Sequence, residues 1–373
     1  MDYGLSTIDY LTVDHRLFNL TIVISFYPGP SRVYSSVPRY VQQAYAQGVL
    51  SINHRSAEFV AISERTIALV KEKLDVPDDY SVFYASSATE CWEIISQSLV
   101  RRRSYHVHNG AFGQKWFRYA RQLQPEAEQY AFNFQQPLNA SQLHPSPEAE
   151  VICLTQNETS NGTALSANTL ADVCARFSEP LMAVDATSSL AGVALPIARA
   201  DVWYASVQKC FGLPAGLAVL ICSPRAIEKA RQVGENRHYN SLLYLHEQMQ
   251  RWQTTHTPNV LGIYLLMRTL EEREQISVVD AQTQHRYQRW VEFLADLKKV
   301  RLLVNDPALR SRTVIPIEAD PATINQLREQ ARQAGIVLGN GYGDLKPTTL
   351  RIANFPAILD QEIAQLKNFL QTF

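Results

Sequence analysis

Between residues 81 and 222 the chain alternates short apolar runs with stretches of helical spacing, and this alternation limits the possible folds more than any other feature. Residues 81–85, 151–155, 181–186, 201–206 and 217–222 each read as a buried strand. Strands that are apolar on both faces need helices covering each side, so the pattern predicts an α/β protein with a mainly parallel sheet. After Thr89, the residues Trp92, Ile95 and Leu99 fall three and four apart. That spacing is helical and makes Ser86-Ser87-Ala88-Thr89 a strand-to-helix turn.

Further along, residues 253–258 are polar and end in Pro258, which predicts a loop before a long helical region from Gly262 through Val300. A strand at 313–318, a helix at 321–334 closed by Gly335, and a strand at 349–355 follow. The last helix is expected to start with Asp360 as N-cap and to bury Ile363, Leu366 and Leu370. The chain therefore divides into an amino-terminal extension (1–25), a large domain (26–262) and a smaller α+β carboxy-terminal domain (263–373).

Composition excludes several functions. With 35 Lys+Arg against 36 Asp+Glu in 373 residues, the chain is neither a polybasic nucleic-acid binder nor an acidic disordered protein. Cys91, Cys153, Cys174, Cys210 and Cys222 form an odd set without a C-x-x-C pair, which suits reduced thiols in a cytoplasmic enzyme. Asp2, Asp9 and Asp14 precede the apolar stretch 18–26, unlike the basic start of a secretory signal. No apolar run approaches the roughly 20 residues of a membrane span, so no membrane partner is expected.

The segment from Ser206 to Gly216 leaves a buried strand, presents Lys209, and passes through glycines and a proline into the next strand. A lysine just past the end of a sheet strand lies where open α/β sheets bind ligands. Burial there would depress its pKa and make it a nucleophilic amine, as a Schiff-base lysine requires. Taken alone, such a lysine is better explained as a solvated loop residue. Asp185 changes the balance, because a carboxylate closing the apolar run 181–184 is costly unless it meets a cation. The protonated ring nitrogen of pyridoxal phosphate is such a cation, and an ionised Asp185 would keep it protonated. Otherwise Asp185 caps the turn that follows it.

Two features suit the same cofactor. Ser87, Ala88 and Thr89 open a helix whose free amides and hydroxyls suit a phosphate, although Ser and Thr also serve as ordinary caps. Phe112, set between small residues in Asn109-Gly110-Ala111-Phe112-Gly113, suits stacking on a flat ring, although a single Phe is more often core.

Taken in order, these motifs resemble those of the class V aminotransferases of pyridoxal-phosphate fold type I, most closely the phosphoserine branch. The resemblance runs from Phe26-Tyr27-Pro28-Gly29-Pro30 to Arg351-Ile352-Ala353-Asn354-Phe355-Pro356. It includes Ser51-Ile52-Asn53-His54-Arg55-Ser56-Ala57-Glu58-Phe59 and Asn157-Glu158-Thr159-Ser160-Asn161-Gly162. It implies a large domain with a seven-stranded sheet and a smaller carboxy-terminal domain. It makes Lys209 the lysine that carries the cofactor, Asp185 the partner of the pyridine nitrogen, and Thr159 the partner of the ring hydroxyl. Phe112 stacks on the ring where many relatives have tryptophan. Ser87, Ala88, Thr89 and Gln208 serve the phosphate.

In the family an Asn-Thr pair from the neighbouring subunit completes the phosphate site. Here the pair is His256-Thr257, which implies a homodimer with shared active sites. Arg351 matches the arginine that grips the substrate α-carboxylate, and His54 with Arg55 matches the pair that receives the substrate's phosphate or distal carboxylate. The implied reaction is transamination between 3-phosphohydroxypyruvate and glutamate in serine biosynthesis. Serine or alanine with glyoxylate is the alternative within the family. Cysteine desulfuration is disfavoured, since no cysteine follows Cys222. Outside the family, a nucleotide-binding or structural α/β protein with no covalent cofactor would show the same alternation.

Three other segments carry no site. The run 339–343 reads as a turn and not a dinucleotide loop, because it precedes a strand. His106 and His108 lack a third metal ligand, so no metal is expected. Arg101-Arg102-Arg103 reads as the end of the helix begun at Thr89, where cations oppose the dipole.

Overall fold

A computed structural model describes residues 23–373, and the extension before residue 23 lies outside the described residues. Seven strands form one sheet in the order Ser81–Ala85, Ala218–Cys222, Val202–Ser206, Leu181–Asp185, Val151–Thr155, Ser104–His108 and Glu128–Ala131. The last five of these run parallel, while Ala218–Cys222 is antiparallel to both its neighbours. The strands 202–206, 181–185 and 151–155 are buried along their whole length, as unbroken apolar runs require.

Register gathers the functional segments at one edge of this sheet. Asp185 pairs with Thr155 on one side and Tyr204 on the other, so these carboxyl ends lie level. Ala218 faces Ser206 and Ala85, which brings the end of Ser81–Ala85 and the helix after it to the same edge. Helix Ala88–Leu99 begins there, capped by Ser87, whose hydroxyl accepts from the Glu90 amide at 3.1 Å.

A second, five-stranded sheet has the order Ile24–Phe26, Ile336–Asn340, Thr349–Ala353, Val314–Glu318 and Arg301–Leu302. Ile24 and Ser25, read from the sequence as extension, pair in parallel with Ile336 and Val337. The same strand buries Phe26 edge-on against Trp290 at 6.4 Å. A strand of three residues shows too little alternation to be recognised alone.

Other boundaries also move. The helical region expected from Gly262 through Val300 is two helices, Val260–Glu272 and Ile276–Ala295. Arg273 and Gln275 between them have extended backbone, with ψ near 143° and 150°. The division read at residues 262 and 263 falls inside the first of these helices. Asp360 is the first helical residue and not the N-cap, because Glu362 reaches back to the Leu359 amide at 3.0 Å. The strand Ile336–Asn340 runs through Gly339 and Asn340, so the turn expected there begins later. Helix Ala88–Leu99 ends before Arg101, and Arg102 and Arg103 pair with Glu126 at 2.8 and 2.7 Å. Among the described residues no helix is long and apolar enough to cross a membrane.

Candidate active site

Lys209 and Asp185 open onto the same cavity, of about 220 Å³, at the carboxyl edge of the large sheet. Ala88, Thr89, Phe112, Thr159, Gln208 and Arg351 line it as well. Arg351 comes from the five-stranded sheet, so the cavity lies where the two sheets meet. Ser87 does not line it and acts as the helix cap, while the Ala88 amide donates to Ser206 Oγ at 2.8 Å.

Lys209 leaves the sheet just beyond Ser206 and is buried. Its Nζ donates to Ser188 Oγ at 2.9 Å and Thr159 Oγ1 at 3.0 Å, and lies 5.3 Å from the Phe112 ring centroid. Gly29 packs on the lysine stem with φ +142°, where an added Cβ would meet Lys209 Cε at 2.8 Å. Only glycine fits such a position. Burial lowers the Lys209 pKa to about 8; the Asp185 charge opposes the shift and Arg351 adds to it.

Asp185 is buried with no cation within ion-pair distance among the described residues, and burial raises its pKa. Oδ1 accepts from the Thr187 amide at 2.9 Å. Nearby Thr187 Oγ1 is buried with no hydrogen-bond partner and faces the same cavity. A buried carboxylate without an ion-pair partner, beside an orphaned hydroxyl and an amine of lowered pKa, fits a ligand that brings a protonated ring nitrogen, polar substituents and a carbonyl. Pyridoxal phosphate has all three.

Arg351 is held at both ends of its fork. Nε donates to the Asn340 carbonyl and Nη1 to the Thr159 carbonyl, both at 2.7 Å. The guanidinium lies 5.8 Å from the Tyr342 ring, which in turn lies 5.1 Å from the Phe112 ring. A carboxylate in the cavity would meet a fixed, desolvated cation.

The structure does not bring His54, Arg55, His256 or Thr257 to Lys209, and none of them lines the cavity. His54, Arg55 and His256 belong to a separate cluster. Arg55 Nη1 donates to Gln248 and Gln253 at 2.8 and 2.7 Å. Burial, followed by the charges of Arg55 and His256, lowers the His54 pKa. The His256 ring lies edge-on to Tyr239 at 5.3 Å, and Tyr239 donates to Glu90 at 3.0 Å.

Sequence reasoning missed Ser188, Thr187, Tyr342, Lys115 and Trp92. The first two follow a strand end in a Ser/Thr-rich turn and could have been flagged there. Lys115 lies one turn after Phe112, a spacing that places both on one helix face.

The profile of aminotransferase class-V matches residues 28–353, and the chain belongs to that family. It is a pyridoxal-phosphate-dependent aminotransferase, as the sequence motifs imply. Phosphoserine aminotransferase of Rhodococcus opacus is 27% identical over 352 residues, covering 91% of each chain. A crystal structure of phosphoserine aminotransferase from Cytophaga hutchinsonii superposes with a TM-score of 0.88 at 32% identity, covering 94% of this chain and 98% of that one. An alanine-glyoxylate aminotransferase from Nostoc sp. shares the fold at a TM-score of 0.78 and 19% identity, covering 94% of each chain.

Proposed function

We propose that the enzyme moves an amino group from glutamate to 3-phosphohydroxypyruvate, yielding phosphoserine and 2-oxoglutarate, as a cytoplasmic homodimer serving serine biosynthesis. One observation carries the reading: a single cavity holds a buried amine of lowered pKa, a buried carboxylate lacking a cation, and a carbonyl-anchored guanidinium. The named relatives in Rhodococcus opacus and Cytophaga hutchinsonii support the choice of phosphoserine.

When bound, pyridoxal phosphate supplies a reactive carbonyl and a conjugated ring that takes up the electron pair freed at the substrate α-carbon. The chain supplies the rest. Lys209, released as a free amine, would take the α-proton and return it to the carbon that the cofactor's carbonyl contributes, two atoms away across the nitrogen, acting as general base and then general acid. Its lowered pKa keeps much of it neutral near pH 8. Asp185 holds positive charge on the ring nitrogen, Phe112 covers one ring face, and Thr159 meets the ring hydroxyl. Arg351 fixes the substrate carboxylate so that the α-hydrogen faces Lys209. In the dimer, His54 and Arg55 would meet the substrate's second anionic group across the interface, with His256 and Thr257 completing the phosphate site.

Steady-state kinetics with phosphoserine, serine and alanine as donors tests the substrate. Phosphoserine should exceed alanine in kcat/KM by at least about 10²-fold, because a site built for an anion leaves its cations unpaired with alanine. A preference for alanine or serine with glyoxylate would remove the assignment.

A further inference from the structure

Glu158 is a buried ionisable group that the chemistry above leaves unused. It is 1% exposed and pairs with no cation among the described residues. Oε2 accepts from the amides of Phe112 at 3.2 Å and Gly113 at 3.0 Å, while Oε1 accepts from the Ser160 amide at 3.0 Å and hydroxyl at 2.6 Å. Ser160 Oγ in turn accepts from the Ala111 amide at 3.0 Å.

These bonds satisfy the first turn of helix Ala111–Leu123, whose N-cap, Gly110, offers no side-chain acceptor. A Cβ on Gly110 would meet Glu158 Cγ at 2.3 Å, so the close approach requires glycine. The carboxylate also complements the positive end of that helix.

Side chains alternate along 158–160. Glu158 and Ser160 face the helix, whereas Thr159 faces Lys209. One carboxylate thus ties the backbone of Phe112 to the residue next to Thr159. We propose that Glu158 is a positioning residue: it clamps the Phe112 ring against the Thr159 segment and so fixes the slot beside Lys209 in which the flat cofactor ring lies. The inference rests on Phe112 and Thr159 contacting that ring, as proposed above.

The test compares Glu158→Gln, Glu158→Asp and Ser160→Ala, alone and combined with Phe112→Ala. Glutamine keeps the volume but turns an N–H toward amides that need an acceptor. Glu158→Gln should raise the dissociation constant for pyridoxal phosphate about tenfold, which corresponds to one charge-assisted bond. It should also reduce the visible circular dichroism of bound cofactor and lower kcat more than it raises KM. In the apoprotein, amide exchange at residues 111–113 should speed up. Glu158→Asp should restore part of each signal. In the Phe112→Ala background the effect of Glu158→Gln on affinity and dichroism should vanish, because the clamp would have nothing to position. If Glu158→Gln does not accumulate folded, Ser160→Ala carries the same measurements in milder form.

A lower melting temperature with unchanged dichroism and affinity would overturn the proposal and leave Glu158 as a helix cap alone. If Phe112→Ala itself leaves cofactor binding unchanged, the ring assignment falls and takes the clamp with it. A Phe112→Ala effect without a Glu158→Gln effect removes only the clamp.

Discussion

Lys209 Nζ donates to Ser188 Oγ at 2.9 Å, and Ser188 follows the strand that ends in Asp185. The amine is thus anchored to the same segment that carries the carboxylate. Replacing Lys209 with Ala should abolish the visible absorbance of the purified protein and cut transamination by about 10³-fold or more. Borohydride should fix cofactor to the wild-type chain and not to the variant, as read by mass spectrometry.

The titration of this amine has a definite sign. Burial lowers it to about 8, so at pH 8 about half is neutral, against less than about 1% of an exposed lysine. The rate at which apoprotein captures pyridoxal phosphate should therefore rise with pH around a midpoint near 8, in stopped-flow measurements. Between about pH 8 and 10.5 the unfolded chain binds a proton that the folded apoprotein does not, so apoprotein stability should rise across that window. Lys209→Met should flatten the rise, and an unchanged slope in the variant would assign it to another group.

Asp185 titrates in the opposite sense. Burial raises its pKa, so its contribution to apoprotein stability is largest below the ordinary Asp value of 3.8 and is lost as pH rises through the folded value. Asp185→Asn keeps the oxygen that accepts from Thr187 and removes a buried charge that has no cation within ion-pair distance among the described residues. The variant apoprotein should melt higher than wild type at neutral pH, yet turn over about 10²-fold or more slowly, because the ring nitrogen loses its counter-charge. Stability and activity moving together would contradict this role.

Arg351 is fixed by carbonyls of Asn340 and Thr159, so it also ties the five-stranded sheet to the site. Arg351→Lys keeps the charge and loses the fork. KM for amino-acid substrates should rise about tenfold for Lys and about 10²-fold for Ala, matching the loss of a charge-assisted pair. The Ala variant should also melt a few degrees lower, since one buried and one partly buried carbonyl lose their donor. A change in kcat alone, with KM intact, would argue against carboxylate binding.

Lys209 and Asp185 were legible as candidates because Asp185 closes an apolar run and Lys209 lies just past a buried strand, and a charge at such a place needs a reason. The central strands were legible for the same cause, since burial on both faces writes itself as continuous apolar sequence. Strand Ile24–Phe26 was not, because three residues carry no period and its partner lies more than 300 positions away. Ser188 and Glu158 were hidden differently. The Ser/Thr-rich turn after Asp185 marks Ser188 as a candidate, but its contact to Lys209, like that of Glu158 to the Phe112 amide, joins segments that no local pattern relates. His54 and Arg55 were legible as motif residues, but one chain leaves them outside the cavity, beside His256.

That separation yields the last prediction. Residues outside their own cavity serve catalysis only if a second copy presents them to its neighbour's site. Arg55→Ala and Lys209→Ala should each be nearly inactive as homodimers. Co-refolded in equal amounts, half of the dimers are hybrids, and in each hybrid one site combines an intact Lys209 with an intact Arg55 from the other subunit. Activity should therefore recover to about a quarter of wild type, as two-fold symmetry with shared sites dictates. Sites built within one chain would leave every site of the mixture carrying one of the substitutions. The mixture would then stay inactive, and the cluster of His54, Arg55 and His256 would need another role.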